Sequence, residues 1–172
     1  MTTPRRVEPL DAATHRIADF SCGRPALDRW LRAHAGQSQR RDVARTFVTA
    51  DDAMNVLGYY TLVAGQVEHG DAPDAVRAGV SRHYPIPVCL LARLAVATSW
   101  QGRGVGSDLL RDALRRTLAA SGHVGIRAVL VHAIDDAAAG FYRRYGFQPA
   151  TADGHTLMVP LAAVRTWLPS AR

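Results

Sequence analysis

Six consecutive residues, Gln101-Gly102-Arg103-Gly104-Val105-Gly106, carry the strongest chemical signal in the chain. Three glycines within five positions let backbone N–H groups turn toward an anion, and the missing side chains let that anion come close. An apolar run at residues 89–96 precedes them and reads as a buried strand. Val105, Leu109, Leu110, Ala113, Leu114 and Leu118 follow at helical spacing, with Arg111, Arg115 and Arg116 among the polar positions. A strand, a glycine turn and a helix N-terminus together make a phosphate site, because the N–H groups of the first turn and the helix dipole both favour negative charge there. Two common phosphate loops are excluded. A Walker A loop needs a lysine, and this chain has none. Neither glycine register completes G-x-G-x-x-G, since Ser107 and Leu109 stand at the sixth positions. The pattern left is Q-x-x-G-x-G.

A second element lies downstream. Residues 129–133 read as a buried strand, and residues 135–147 as a helix with an acidic first turn and Gly146 as its stop signal. Within that helix stands Phe141-Tyr142-x-x-x-Gly146-Phe147. The two motifs, in this order, resemble the GNAT superfamily of acetyl-CoA-dependent N-acetyltransferases, over about residues 88–160. The resemblance implies that Gln101, Gly102, Arg103, Gly104, Val105, Gly106 and Ser107 hold the coenzyme A pyrophosphate, mainly through backbone amides. It implies that Leu94, Ala95 and Val96 offer backbone groups to the pantetheine arm between two splayed strands. It also implies that Tyr142 is the general acid, its phenol protonating the departing thiolate, with acetyl-CoA the cosubstrate and no metal. One position departs from the family pattern: where many members carry a coenzyme-contacting asparagine, this chain has Asp135, which suits a helix N-cap better.

The likeness narrows further. Pro85-Ile86-Pro87-Val88, Leu91-Ala92-Arg93-Leu94-Ala95-Val96, Gly125-Ile126-Arg127-Ala128, Val131-His132-Ala133, Phe20-Ser21-Cys22-Gly23, Leu27-Asp28-Arg29-Trp30-Leu31 and Arg45-Thr46-Phe47-Val48 are similar to the TacT-like acetyltransferase toxins of type II toxin–antitoxin modules. That resemblance runs from about residue 10 to 160. It implies acetylation of the α-amino group of aminoacyl-tRNA, a block on translation, and a ribbon-helix-helix antitoxin as partner.

The inventory of bases points the same way. An attacking amine must be neutral. A lysine side chain, pKa about 10.4, usually needs a base, whereas an α-amino group, pKa about 7.7–8.0, already has a substantial neutral fraction at cell pH, and one next to an ester should have a lower pKa still. The chain has two glutamates, Glu8 and Glu68, and neither is on the strand at 89–96. Glu68 and His69 read as solvated loop residues before they read as bases, and His132 as a strand histidine. Two other readings stay open: an acetyltransferase for a small amine or a protein N-terminus, and a non-catalytic acyl-CoA-binding module.

With 172 residues, of which 48% are apolar, the whole chain is expected to be one domain (1–172). The net charge is +6, with every basic side chain apart from histidine an arginine. A GC-rich genome would also favour arginine, yet a basic surface suits a polyanion. Arg40, Arg41, Arg45, Arg77 and Arg82 are the candidate tRNA contacts. Cys22 and Cys89 lack metal-ligand spacing and read as buried thiols of a reducing compartment. Arg5-Arg6 is followed by no apolar h-region, and no run approaches the ~20 apolar residues of a membrane span. A cytoplasmic protein that meets no membrane is expected; a homodimer is compatible with the sequence.

The remaining elements must position these residues. An amphipathic helix is expected at 25–37, with Leu27, Trp30, Leu31 and His34 on one face. Strands are expected at 47–50 and 56–64, turned by Asp51-Asp52 and Asn55, with a long loop at 65–87 containing a short helix near Ala75 and a last strand at 156–161. The order predicts an α/β (α+β) class with a mixed, mainly antiparallel sheet and helices on both faces. The resemblance makes it the GNAT fold with its splayed central strand pair.

Overall fold

The structure, a computed structural model, describes residues 3–168. Seven strands form one sheet in the order β1-β2-β3-β4-β5-β7-β6. They are β1 (Glu8–Pro9), β2 (Arg45–Ala50), β3 (Val56–Val67), β4 (Ile86–Val96), β5 (Ala128–His132), β6 (Gln148–Pro149) and β7 (Thr156–Pro160). The helices are α1 (Pro25–Ala33), α2 (Ala35–Arg40), α3 (Asp74–Arg77), α4 (Val105–Ala120), α5 (Asp136–Arg143) and α6 (Leu161–Trp167). β4 and β5 are parallel, and the pairs β1/β2, β2/β3, β5/β7 and β6/β7 are antiparallel. The sheet is therefore mixed and mostly antiparallel, with helices flanking it, as the sequence predicts.

Backbone contacts divide the chain into two compact units. The first holds residues up to Val63 together with Ala92–Ala113. Its core gathers Leu10, Phe20, Leu31, Ala35, Val48, Val56, Tyr59 and Ala95, with Leu27 and Trp30 packed against them. The β2–β3 turn forms as its sequence dictates: the Asp51 carboxylate accepts from the backbone N–H of Ala53 and Asn55 and from the Asn55 amide, at 2.9–3.0 Å. Those bonds hold its pKa below the usual carboxylate value.

The second unit holds Ala64–Leu91 and the chain from Leu114 onward. Val76, Ile86, Val88, Ala128, Leu130 and Met158 form a core there. The β4–β5 register runs from Val88↔Ala128 to Leu91↔Val131 and ends there, although β4 continues to Val96. Arg127 donates to the carbonyls of Val76 (2.8 Å) and Ala78 (2.9 Å), pinning the α3 segment.

Several boundaries differ from expectation. The helix expected at 25–37 breaks at His34, whose φ of −125° is not helical. Ala35, four residues after Leu31, takes the buried position, and His34 is exposed. β3 extends to Val67, so the long loop begins later. The last strand stops at Pro160, where Leu161 starts α6, a helix that sequence reading missed. β1 and β6, two residues each, are too short to leave a periodicity.

Candidate active site

The glycine turn lies in the first unit. β4 ends at Val96, a single 3-10 turn spans Thr98–Trp100, and α4 begins at Val105. Gly102 and Gly104 adopt φ of +75° and +85°, backbone that disfavours any side chain. A Cβ built on either would meet nothing within 4 Å. The space above the turn is open, as a bound phosphate requires. The turn is also firmly rooted. Ala97 N–H donates to Leu57 O (2.8 Å) and Thr98 N–H to Ser21 O (2.9 Å). The Gln101 amide donates to the carbonyls of Cys22 and Val96, both at 2.9 Å. At the other end Val105, Leu109 and Leu110 are buried and fix the start of α4. The N-terminal end of a helix carries the positive end of its dipole, which favours an anion at this end of α4. Arg103 is exposed and lies 4.8 Å over the Trp100 ring. Gly106 and Ser107 are half-buried in the first turn of α4; Leu94 and Val96 are half-buried, and Ala95 is buried.

The aromatic helix α5 lies in the second unit. Asp135 caps it, its carboxylate accepting from Ala138 N–H at 2.8 Å, as the acid in that position suggested. The C-terminal end explains the spacing of the second motif. Phe147 N–H reaches Tyr142 O (3.4 Å) and Gly146 N–H reaches Arg143 O (3.0 Å), with Gly146 at φ +88°. This is a Schellman motif, and its usual apolar contact is the packing of Phe147 on Tyr142, ring centroids 5.4 Å apart. Tyr142 is 8% exposed and also meets Phe141 edge-on. Burial pushes its phenol well above the ordinary tyrosine range, so it stays protonated at neutral pH. Tyr145 packs against Phe141 and Trp167.

The arginines are distributed. Arg77 and Arg82 line a cavity of about 470 Å³ with Glu68, His69 and Gly70. Arg77 also pairs with Asp74, and the His69 ring contacts Val80 O at 3.1 Å. Arg40 and Arg41 are exposed at the end of α2, while Arg45 pairs with Asp42 at 2.6 Å. Glu8 is engaged by the buried His15 at 2.8 Å. His132 is exposed and faces Thr156 Oγ1 at 3.2 Å. Both cysteines are buried and free, and burial pushes the Cys22 thiol up to about 11. Among the described residues no group of His, Cys, Asp or Glu could hold a metal, and no helix is long and apolar enough to cross a membrane.

Sequence reasoning missed the root of the glycine turn. The signal was present in Phe20-Ser21-Cys22-Gly23, singled out without a role. Ser21 and Cys22 supply backbone carbonyls, and a backbone role leaves little mark on residue type.

The model of the acetyltransferase (GNAT) domain matches residues 42–149, and the chain belongs to that family. It is 42% identical to the tRNA-acetylating toxin of Mycobacterium tuberculosis, over 95% of each chain. Among solved structures it is similar to AtaT complexed with acetyl-methionyl-tRNAfMet, at 29% identity and a TM-score of 0.85, covering 94% of this chain and 97% of that one. It is also similar to a tyrosine-to-phenylalanine variant of the AtaT toxin bound to the C-terminus of the antitoxin AtaR and acetyl-CoA, at 29% identity and a TM-score of 0.81, covering 96% and 98%.

Proposed function

We propose that this protein uses acetyl-CoA to acetylate the α-amino group of aminoacyl-tRNA, stops translation in the cytoplasm, and is neutralised by a ribbon-helix-helix antitoxin. The whole chain serves as one acetyltransferase domain. The observation that carries this reading is the open glycine turn at the head of α4, in a chain 42% identical over 95% of its length to a tRNA-acetylating toxin. The solved relatives hold acetyl-methionyl-tRNAfMet in one case and an antitoxin with acetyl-CoA in another, which supports the same cosubstrate and partners here.

In the proposed reaction the neutral amine attacks the thioester carbonyl. An N–C bond forms, the C–S bond breaks, the amine gives up a proton to water, and the coenzyme A thiolate receives one from the Tyr142 phenol, which is then reprotonated from that water. The turn at Gln101–Ser107 holds the pyrophosphate, and the backbone of Leu94, Ala95 and Val96 holds the pantetheine arm. The Tyr142 phenol is protonated at neutral pH, as a donor must be, although burial makes it a weaker acid than a free tyrosine; the donor role rests on its place in the F-Y-x-x-x-G-F motif. Arg77 and Arg82, sharing one cavity, and Arg40, Arg41 and Arg45 supply cations for RNA phosphates.

Purified protein given acetyl-CoA with a charged tRNA pool, or with small amines and peptide N-termini, separates the candidates. Turnover confined to charged tRNA is expected. Preference for a small amine or a peptide would overturn the substrate, and acetyl-CoA binding without turnover on any amine would leave only a binding module.

A further inference from the structure

We infer that Arg93 is a phosphate-recognition residue: its guanidinium, stacked on Trp30, receives a backbone phosphate of the acceptor RNA in the plane of its fork. This rests on the tRNA reading above and adds to it a residue outside the arginine groups considered so far.

Arg93 belongs to β4, and its Cζ lies 4.1 Å over the Trp30 ring of α1. Trp30 stacks in turn on Tyr59, centroids 6.1 Å apart and planes within 14°. Tyr59 is fully buried, is met edge-on by Phe20, and donates its hydroxyl to Leu27 O at 2.8 Å. The guanidinium is thus held by a stack of rings fixed in the core of the first unit.

Nothing in the described residues answers its charge. No carboxylate pairs with Arg93 and no acceptor takes its N–H groups; the ring of Trp30 is its contact. The buried carboxylate on α1, Asp28, instead accepts from Cys22 N–H at 2.9 Å. The neighbouring phenol of Tyr59 is kept neutral by burial. Arg93 is half-buried, and that burial disfavours its cation. A half-desolvated charge without a counter-charge is unfavourable in itself, which makes it a group expected to meet an anion from outside. Stacking occupies the face of a guanidinium and leaves its edge donors free, and that edge matches a phosphate bidentately.

Two sources of phosphate exist, the RNA and the coenzyme. Alternation along β4 places Arg93 with Ala95, which shares a core with Trp30 and Tyr59, and sets Leu94 and Val96 on the other side. The coenzyme phosphates already have the glycine turn, so the RNA is the source assigned here.

The test compares wild type with Arg93→Met and Arg93→Lys. For Arg93→Met the KM for charged tRNA should rise about tenfold with kcat nearly unchanged, and the salt slope should fall by ~0.7, the share of one single-strand phosphate contact. Acetyl-CoA affinity by calorimetry should stay the same, and Tm should not fall, because an unanswered cation is replaced by an apolar chain. Arg93→Lys should recover only part of the KM, since a point charge lacks the fork. A lowered Tm with unchanged KM would make Arg93 structural, and a weakened acetyl-CoA affinity would give the phosphate to the coenzyme; either overturns the assignment. A binding readout decides independently of turnover: the Arg93 Nε–Hε resonance should shift on titration with a single-stranded RNA trinucleotide, and an unmoved resonance would overturn the proposal. Wild type that binds the trinucleotide at Arg93 but leaves charged tRNA unacetylated would fail the acetylation reading alone.

Discussion

The glycine turn at the head of α4 and the aromatic end of α5 both announce themselves by glycine spacing, but for opposite physical reasons. At Gly102 and Gly104 an added Cβ meets only open space, so the protein's own packing gives no reason for a bare backbone beyond its positive φ. At Gly146 the glycine is the left-handed cap of a Schellman motif, and Tyr142 and Phe147 are its apolar contact. In α5, folding alone accounts for the spacing of Tyr142, Gly146 and Phe147. What folding leaves over is the Tyr142 hydroxyl. One motif thus leaves open space beside a left-handed backbone, and the other closes a helix end around the Tyr142 ring.

The comparison breaks most visibly at that hydroxyl. Tyr142→Phe keeps the ring and its contacts and deletes the proton donor. Acetyl transfer should slow by ~10²–10⁴, the usual weight of general acid catalysis. Melting temperature and acetyl-CoA affinity should hardly move, and expression without antitoxin should no longer arrest growth. Tyr145→Phe, in the turn just past the end of α5, should stay within a few-fold of wild type. Matching rates for the two variants would reduce Tyr142 to packing.

Next in size is Gly104→Glu. It places a carboxylate where the pyrophosphate is proposed to sit, and acetyl-CoA binding should weaken by ~2 kcal/mol, the scale of a lost charge-assisted hydrogen bond. Calorimetry on the folded variant measures this; unchanged affinity would empty the site. Gly146→Ala should behave in the opposite way. Forcing a Cβ into φ +88° should cost about 1–2 kcal/mol of stability. Thermal unfolding should show that loss, with acetyl-CoA affinity unchanged. If Gly146→Ala weakened the coenzyme instead of the fold, the division of labour between the two glycine motifs would fail.

The smallest effect concerns the first turn of α5. His155 Nε2 meets the Asp136 carboxylate at 2.7 Å, and that bond raises the His155 pKa. The pair's contribution should be fully present below the ordinary histidine pKa of about 6.5 and lost as pH rises through the raised folded value. Asp136 is exposed and His155 only half-buried, so the change in stability should be slight. An NMR titration should find the His155 pKa moved down toward its ordinary value in Asp136→Asn, with Asp153 and Asp135 still holding it up in part.

Much of this was legible in the sequence because the decisive elements have internal periodicity or a fixed cap. β4, α4, β5 and α5 appear where apolar spacing, Gly146 and Asp135 place them. The break at His34 was invisible, since 25–40 keeps good helical composition and only tertiary packing chooses Ala35 over His34 for burial. α6 was hidden because Leu161, its first residue, continues the apolar run of the preceding strand and reads as the strand's end, with Pro160 serving as the N-cap. The residues of the glycine turn were readable, whereas its anchoring to the Ser21 and Cys22 carbonyls was not, for backbone acceptors are common to every residue type. The stack of Arg93 on Trp30 joins a strand to a helix more than sixty positions earlier, and nothing local announces it.

The most direct test is to locate the transferred acetyl group. Charged tRNA is incubated with the purified protein and radiolabelled acetyl-CoA, and the aminoacyl ester is then cleaved with mild base. The account predicts that the label leaves with the amino acid as its N-acetyl derivative, and that uncharged tRNA takes up none. Label retained on the RNA after cleavage, or label found only on small amines, would contradict it.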